Sequence, residues 1–199
     1  MNDEMAWVTK AQQGSDEAFT HLVETYQTHV YNLCYRMLGE PEAAEDAAQE
    51  TFLRAYQHIH RYDSRRPFAT WLLSIAAHYC IDRLRRRKFT MNSIEQDEEE
   101  SGFELPDKER VSPESEVIHG EQRKQIQRLL KRLDSVDRAA VIMRYWHDCS
   151  EVEIAESLNL TVSAVKSRLH RARRALASSW EAETQSSRHE RRPHESPAF

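Results

Sequence analysis

The chain has 199 residues, a formal net charge of −5 and 31% charged residues, which fits one large or two small water-soluble domains. Only 4 residues are glycine, and abundant Ala, Glu, Arg and Leu favour helices, because these side chains lose little freedom there. No signal-peptide pattern opens the chain, and the most apolar stretch, WLLSIAAHYCI, is too short to cross a bilayer, so we expect a cytoplasmic protein without membrane insertion.

The cysteines and the absence of catalytic motifs exclude several classes of protein. Cys34, Cys80 and Cys149 lie far apart and form no CxxC pair, which excludes a disulfide framework and a zinc knuckle and predicts three buried thiols. The sequence contains no glycine-rich phosphate loop, no acidic cluster with metal-ligand spacing and no nucleophile constellation. We therefore expect no metal, no cofactor and no enzymatic activity.

The charge is distributed unevenly along the sequence. Residues 1–88 hold 11 basic and 12 acidic side chains (net −1), residues 89–120 hold 2 and 10 (net −8), and residues 121–199 hold 15 and 11 (net +4). The acidity lies mostly in the middle, so the overall charge is no argument against a nucleic-acid partner.

Helices are predicted throughout residues 1–88. The first apolar run recurs at three- and four-residue steps between Ser15, a suitable N-cap, and Gly39, a suitable stop. Pro41 is placed to begin a second helix through EAAEDAAQETFLRAY, and a third begins near Pro67 and ends in RLRRRK. The apolar positions of the first run are Phe19, Leu22, Val23, Tyr26, Val30, Leu33, Cys34 and Met37.

One side of the second helix carries a largely polar stripe, while alanines cover much of the rest. Such a stripe is most often simply solvated, but it can also dock a basic or amphipathic partner helix. Both interpretations stay open from the residues alone. The stripe consists of Asp46, Gln49, Glu50 and Leu53.

Aromatic and basic side chains gather around the start of the third helix. Aromatic faces stack on unpaired bases and guanidinium groups follow the backbone, so this cluster suits single-stranded DNA, while basic residues farther along suit duplex phosphates. A role in the core is the alternative for Phe68 and Trp71, which lie in an apolar stripe. The residues at the turn are Tyr62, Arg65, Arg66, Phe68 and Trp71. Those farther along are Arg83, Arg85, Arg86, Arg87 and Lys88.

Two segments lack the apolar periodicity of a folded element. Residues 89–117 include four consecutive acidic residues and two prolines, which predicts an acidic flexible linker. Residues 184–199 are polar and contain proline, which predicts a disordered tail. The expected fold is therefore all-α, with two small helical domains at 1–88 and 118–183.

The second domain is predicted to end in a helix-turn-helix. Two helices, Ile118–Leu133 and Ser135–Trp146, come first. Ser150 and Glu153 then have the spacing of a capping box, and Thr161 can cap the helix that follows a short turn. A capped short helix, a tight turn and a second amphipathic helix together favour this motif.

The last helix contains VKSRLHRARRAL, with five basic residues and no acidic one. At 100° per residue, Val165, Leu169 and Ala172 fall on one face and are expected to pack inward. A basic run alone is more often a solvated helix face, but within a helix-turn-helix the opposite face would reach base edges and its flanks would meet phosphates. The opposite face holds Ser163, Ser167, His170, Arg171 and Arg174, and the flanks hold Lys166, Arg168 and Arg173.

The order of these segments resembles that of bacterial RNA polymerase sigma factors of the small extracytoplasmic-function (ECF) group of the sigma-70 family, over about residues 5–180. EDAAQETFLRAY is similar to the segment that holds the polymerase clamp helices, FATWLLSIAAHYCIDRLRRRK to the −10 reading and melting segment, and EVEIAESLNLTVSAVKSRLHRARRAL to the −35 reading segment. The family's middle domain is missing, as in the small group. The resemblance implies core RNA polymerase and promoter DNA, both duplex and single-stranded, as partners, and an anti-sigma protein as a further expected partner.

Two other functions are weighed against this one. A dimeric helix-turn-helix transcription regulator would use residues 1–88 as a helical sensor domain, but such a domain does not need the aromatic and basic cluster at 61–71. A helical adaptor that binds only proteins does not need the outward face of the basic helix.

Overall fold

The computed structural model describes residues 2–91 and 113–190, and the regular structure in these ranges is helical, which confirms the all-α prediction. The first range contains α1 (Asn2–Gln12), α2 (Asp16–Leu38), α3 (Pro41–His58), a 3₁₀ turn (Ile59–Arg61) and α4 (Phe68–Met91). The second contains α5 (Pro113–Lys131), α6 (Ser135–Trp146), α7 (Glu151–Ser157) and α8 (Val162–Glu190).

Local sequence signals account for the ends of the first helices. The Ser15 hydroxyl accepts a hydrogen bond from the backbone N–H of Ala18 at 3.2 Å and so caps α2. Gly39 ends α2 in the left-handed conformation with φ 81°, and its N–H donates to the Tyr35 carbonyl at 2.8 Å. Pro41 lies in the first turn of α3, where its missing N–H costs nothing.

The α2 helix is the centre of the first domain and packs against α1, α3 and α4. Most of its apolar run is buried, with Leu33 and Met37 fully inaccessible, and the Tyr26 ring lies 5.5 Å from that of Phe68 in α4. The second domain has its own buried set on all four of its helices. That set includes Leu130, Ile142, Met143, Ile154 and Val165. The three cysteines are buried free thiols, as predicted.

Some predicted boundaries are wrong. α4 continues to Met91 and α5 begins at Pro113, so both helices extend into the segment predicted as linker. α8 continues to Glu190, so residues 184–190 are helical rather than tail, because this stretch contains neither Gly nor Pro to stop the helix. The rest of the linker and tail predictions, 92–112 and 191–199, falls outside the described residues.

The two domains pack against each other at the C-terminal end of α2, where the last helix carbonyls can accept further hydrogen bonds. Arg138 of α6 donates to the Met37 carbonyl at 2.6 Å, and Gln127 of α5 donates to the Tyr35 carbonyl at 2.6 Å. Positive charge at this end also complements the helix dipole. A Cβ on Gly39 would lie 2.9 Å from the Cε of Lys131, an atom near the flexible end of that side chain, so the left-handed backbone conformation is the stronger reason for glycine here.

No helix in the described ranges is long and apolar enough to cross a membrane.

Candidate nucleic-acid and polymerase interfaces

The α7 and α8 helices form the predicted helix-turn-helix. Ser150 and Glu153 make the capping box, with the Glu153 carboxylate 2.7 Å from the Ser150 N–H and the Ser150 hydroxyl 3.2 Å from the Glu153 N–H. Asn159 takes a left-handed conformation in the turn, with φ 54°, which asparagine tolerates better than most residues. The Thr161 hydroxyl then accepts from the Ala164 N–H at 3.1 Å and caps α8.

The α8 helix presents the predicted two faces. Val165, Leu169 and Ala172 are buried against the rest of the second domain. Arg168 is the exception on the outer side, because it forms a 2.5 Å ion pair with Asp137 and its side chain is only 29% exposed. It therefore ties α8 to α6. The exposed predicted residues are Ser163, Lys166, Ser167, His170, Arg171, Arg173 and Arg174.

Two members of the aromatic cluster lie in the core of this conformation, which for Phe68 is the alternative weighed from the sequence; their role in stacking on bases stays a prediction. Tyr62 is 5% exposed and Phe68 is 2% exposed. The two rings pack edge to face with centroids 5.5 Å apart, and the Tyr62 hydroxyl donates to the Arg66 carbonyl. Trp71 is half-buried, with its ring 5.1 Å from that of Tyr62. Burial of the aromatic faces leaves the arginines as the accessible part of this loop.

The loop arginines are held by carboxylates of different elements. Arg65 makes a two-pronged contact with Asp63, 2.6 Å at its shortest, while its side chain stays 87% exposed. Hydrogen bonds from Arg65 lower the pKa of Asp63 to about 2. Arg66 reaches into the second domain, where its Nε lies 3.2 Å from Glu156. Both guanidinium groups are thus paired with groups that a phosphate could replace.

The basic end of α4 is largely exposed. Arg85, Arg86 and Lys88 are exposed. Arg83 and Arg87 face α3 and the preceding turn through the ion pairs Arg83–Asp46 at 3.6 Å and Arg87–Glu40 at 2.6 Å. Because these pairs are solvent-exposed they contribute little stability, about 0–1 kcal/mol each.

The polar stripe of α3 lies on the surface as predicted, while Ala44, Ala47, Thr51 and Ala55 are buried. Asp46 and Gln49 are exposed, Glu50 is half-exposed and pairs with Arg54 at 2.6 Å, and Leu53 is 52% exposed. The stripe therefore combines exposed polar side chains with one exposed apolar side chain, that of Leu53.

Two further features were not predicted from the sequence. An open groove of about 420 Å³ lies between α2 and α3 and borders the stripe at Gln49. Its walls come from two helices, so no local pattern signals it. The second feature is a polar row on α4, Thr70, Ser74 and His78, whose four-residue spacing was a usable signal.

Comparison with known proteins identifies the family. Residues 22–90 match the family described as Sigma-70 region 2, and residues 123–176 match Sigma-70, region 4. The chain is 37% identical over 172 residues to the ECF RNA polymerase sigma factor SigW of Bacillus subtilis, an alignment that covers 85% of this chain and 92% of that protein.

Solved structures are similar in fold. CnrH in complex with the cytosolic domain of CnrY has a TM-score of 0.66 at 22% identity, over 92% of this chain and 99% of that one. The sigma factor RpoE of Bartonella quintana, in complex with the anti-sigma factor NepR, has a TM-score of 0.65 at 18% identity, over 80% of this chain and 94% of that one. These relationships do not favour a dimeric regulator. The chain belongs to the ECF group of RNA polymerase sigma factors, which bind core RNA polymerase and direct transcription initiation at promoters.

Proposed function

We propose that the surfaces described above divide promoter recognition among three parts of the chain. α8 binds the −35 duplex through its outward face, the 61–66 loop and α4 bind the −10 region, and the α3 stripe binds core polymerase. The observation that carries this proposal is the outward face of α8, where seven of the eight predicted residues are exposed on a helix capped and braced as a recognition helix.

At the −35 element, the side chains differ in what they can contribute. Arg171 and Ser167 lie on the exposed face, from which a guanidinium or hydroxyl can reach base edges. Lys166 and Arg173 lie on its flanks and fit phosphates, which fix the position of the helix without reading sequence.

At the −10 region, the support comes from the arginines rather than from the aromatics. Arg65 and Arg66 are on the loop surface, and the exposed cations at 85, 86 and 88 extend the positive surface along α4. Trp71 remains a candidate for stacking because it is half-buried. Separated strands carry both phosphates and accessible base faces, so an arginine can meet either.

The stripe of α3 is proposed as the polymerase-binding surface. Asp46 and Glu50 lie four residues apart and project from the same face beside the exposed Leu53. The groove bordered by Gln49 extends this surface with apolar walls.

Three wider expectations accompany the proposal. The chain works in the cytoplasm, where polymerase and promoter DNA are found. It acts by binding and has no catalytic activity of its own. An anti-sigma protein is a further partner, in keeping with the complex reported for RpoE of Bartonella quintana.

Transcription from a library of promoter sequences, with purified core polymerase, tests the proposal. Addition of the chain should start transcription from a defined subset that shares two sequence blocks. Arg171→Ala should change the preferred bases in the upstream block only, and Arg65→Ala should lower initiation without changing that block. An upstream preference that neither α8 variant, Arg171→Ala or Ser167→Ala, alters would contradict the assignment of α8.

A further inference from the structure

Two basic side chains on the flanks of α8 are held in different ways. Lys166 lies 3.7 Å from Glu151 at the start of α7, beyond hydrogen-bonding distance, and the two side chains are 63% and 37% exposed. Arg168 forms a hydrogen-bonded ion pair with Asp137 of α6 at 2.5 Å, and these side chains are only 29% and 15% exposed. Water and salt weaken the exposed pair more than the shielded one. A phosphate can therefore replace Glu151 more easily than it can replace Asp137.

The carboxylate of Asp137 is held by a well-anchored part of the second domain. It lies in the first turn of α6, where the helix N–H groups favour negative charge. The Asp134 side chain caps this turn by accepting from the Val136 N–H at 3.0 Å. The next residue, Arg138, is buried and donates to the Lys131 carbonyl at the end of α5 at 2.8 Å. The pair with α8 thus starts from the junction of α5 and α6.

The ion pair lies beside the buried stripe of α8 rather than within it. Arg168 is three residues from the fully buried Val165, which places it about 60° from that residue around the helix. Packing of aliphatic side chains is non-directional, whereas a hydrogen-bonded ion pair fixes a distance and an angle. A contact to one side of the stripe therefore opposes rotation of α8 about its own axis.

Such a rotation would change base reading. Side chains extend to about 5–6 Å from a helix axis, so a rotation of about 10° moves their ends by about 1 Å. Hydrogen bonds to base edges need donor–acceptor distances of about 2.7–3.2 Å, and a shift of this size breaks them. Arg171, which is proposed to reach base edges, follows Arg168 by less than one helical turn. Attraction between a cation and a phosphate has a longer range and tolerates the shift better.

We propose that Asp137 and Arg168 are positioning residues, which set the orientation of α8 in the groove of the −35 duplex, and that Arg168 is not a phosphate contact. The inference rests on the proposed binding of the −35 duplex by the outward face of α8. It adds that an acidic side chain on another helix determines the sequence preference of that face.

Asp137→Asn tests the inference, because simple electrostatics predicts the opposite result. Removing a carboxylate and freeing Arg168 would strengthen binding to every duplex if charge alone mattered. A positioning role instead predicts weaker binding to the preferred −35 sequence. The measurement is the affinity of the full-length chain, bound to core polymerase, for promoter duplexes with an intact or a substituted upstream block.

Affinity for the intact block should fall at least about fivefold in Asp137→Asn, which corresponds to the loss of one base contact. Affinity for the substituted block should change by less than about twofold, because phosphate contacts persist. Tighter binding to both duplexes, or an unaltered ratio between them, would overturn the inference. Circular dichroism during heating is the accompanying measurement. A lower thermal midpoint with an unaltered ratio would show that the pair only stabilises the fold, and would also overturn it.

Glu151→Gln is the matched control. It also removes a carboxylate that lies in the first turn of a helix and pairs with a cation of α8. Because Lys166 is expected to meet a phosphate, the ratio of the two affinities should stay within about twofold of wild type. A loss of preference equal to that in Asp137→Asn would overturn the inference, since any carboxylate near α8 would then have the same effect.

A charge exchange separates a positioning residue from a phosphate contact. Arg168→Asp alone should weaken binding under either interpretation. Asp137→Arg with Arg168→Asp restores an ion pair between the same two positions, so the sequence preference should return to within about threefold of wild type. A phosphate contact at position 168 cannot be restored in this way. A folded exchange variant with no recovery of preference over Arg168→Asp would therefore overturn the inference.

Two variants on the outward face separate failure of this inference from failure of the proposed function. If neither Lys166→Ala nor Arg171→Ala changes binding to any duplex, the assignment of −35 binding to α8 fails. If Arg171→Ala changes the preference while Asp137→Asn leaves it unaltered, that assignment stands and only the positioning role is overturned.

Discussion

Tyr62 occupies a turn beside arginines, where an aromatic ring is expected to be available to DNA, yet it is part of the core. The reason lies far away in the sequence. The side-chain amide of Gln12, at the end of α1, donates to the carbonyls of Ile59 and Tyr62 at 3.1 and 3.0 Å and holds the turn against the first domain. Gln12 lies outside residues 59–71, so the sequence of this segment predicts where the turn is but not that its residues are buried.

The first prediction follows from this burial. Tyr62→Phe removes only the hydroxyl that donates to the Arg66 carbonyl, so the free energy of unfolding should fall by about 1 kcal/mol. Tyr62→Ala should cost about 3–5 kcal/mol, because it leaves a cavity beside Phe68. Urea denaturation measures both values. Affinity of Tyr62→Phe for a single-stranded −10 oligonucleotide should be within about twofold of wild type, and a large loss of affinity at normal stability would restore Tyr62 as a DNA contact.

A second residue-level prediction concerns sequence preference at the −35 element. Arg171→Ala should weaken specific duplex binding by about 1–3 kcal/mol and relax preference at one or two positions, because arginine can make paired hydrogen bonds to guanine. Lys166→Ala should weaken binding to all duplexes nearly equally and lower the salt dependence, because a phosphate contact carries no sequence information. Binding to a panel of substituted duplexes distinguishes the two. Identical, unaltered preferences in both variants would show that the faces of α8 are assigned incorrectly.

At the scale of helices, the signals that predicted correctly are those that act within a few residues. The Ser15 cap, the Gly39 stop and the capping box of Ser150 with Glu153 each satisfy backbone groups of their own helix, so the sequence contains all of the information they need. The C-terminal ends of α4 and α8 were missed because polar, charged stretches can continue a helix when neither Gly nor Pro intervenes. The start of α5 was missed because Pro113, which is tolerated in the first turn of a helix, was assigned to the linker. α1 was not predicted, because its residues contain no long apolar run.

The α3 stripe gives a prediction at this scale. Asp46→Lys with Glu50→Lys should abolish binding to core polymerase, because it reverses two charges on one exposed face. The chain should still fold, since each carboxylate takes part only in an exposed ion pair, worth about 0–1 kcal/mol.

The control for this double variant is Glu17→Lys with Glu24→Lys on α2, which changes the net charge equally at exposed positions. Co-purification with core polymerase and circular dichroism during heating give the two measurements. Retained polymerase binding in Asp46→Lys with Glu50→Lys would remove the docking role, and loss of the folded state would show that the pair is structural.

At the scale of the whole molecule, the packing of the two domains could not be predicted from the sequence. Its contacts join residues about a hundred positions apart, such as Arg138 with Met37. The sequence around each of the two residues contains no sign of the other. The helix-turn-helix and the aromatic and basic cluster could be placed because their residues are neighbours in the chain. Their mutual contact through Glu156 and Arg66 has no such local signature.

The domain interface also contains a histidine that should make stability depend on pH. Both ring nitrogens of His147 are buried without a hydrogen-bond partner among the described residues. Burial, followed by nearby His29 and Arg36 of α2, lowers the pKa of His147 to about 4, although Asp148 opposes the shift. A group that is harder to protonate in the folded state than in the unfolded state makes stability fall as the pH falls between those two pKa values.

We therefore expect the free energy of unfolding to decrease between about pH 6.5, the ordinary pKa of histidine, and pH 4. Urea denaturation at several pH values measures the slope. His147→Phe should flatten it, whereas His58→Phe, at an exposed position of α3, should leave it unchanged. If the slope is unchanged in His147→Phe, protonation of His147 is not the cause of the pH dependence of the free energy of unfolding.

The division of the chain into two DNA-reading surfaces is tested by footprinting one promoter with the polymerase complex. A single promoter DNA, bound by core polymerase and this chain, should show cleavage protection over the −35 duplex and, on the same molecules, permanganate-reactive thymines near −10. Arg65→Ala should lower the thymine reactivity while −35 protection persists, and a template already mismatched near −10 should recover transcription, because the cost of melting has been removed. Protection at −35 with no reactive thymines in the wild-type complex would contradict the two-surface assignment and describe a protein that only binds duplex DNA.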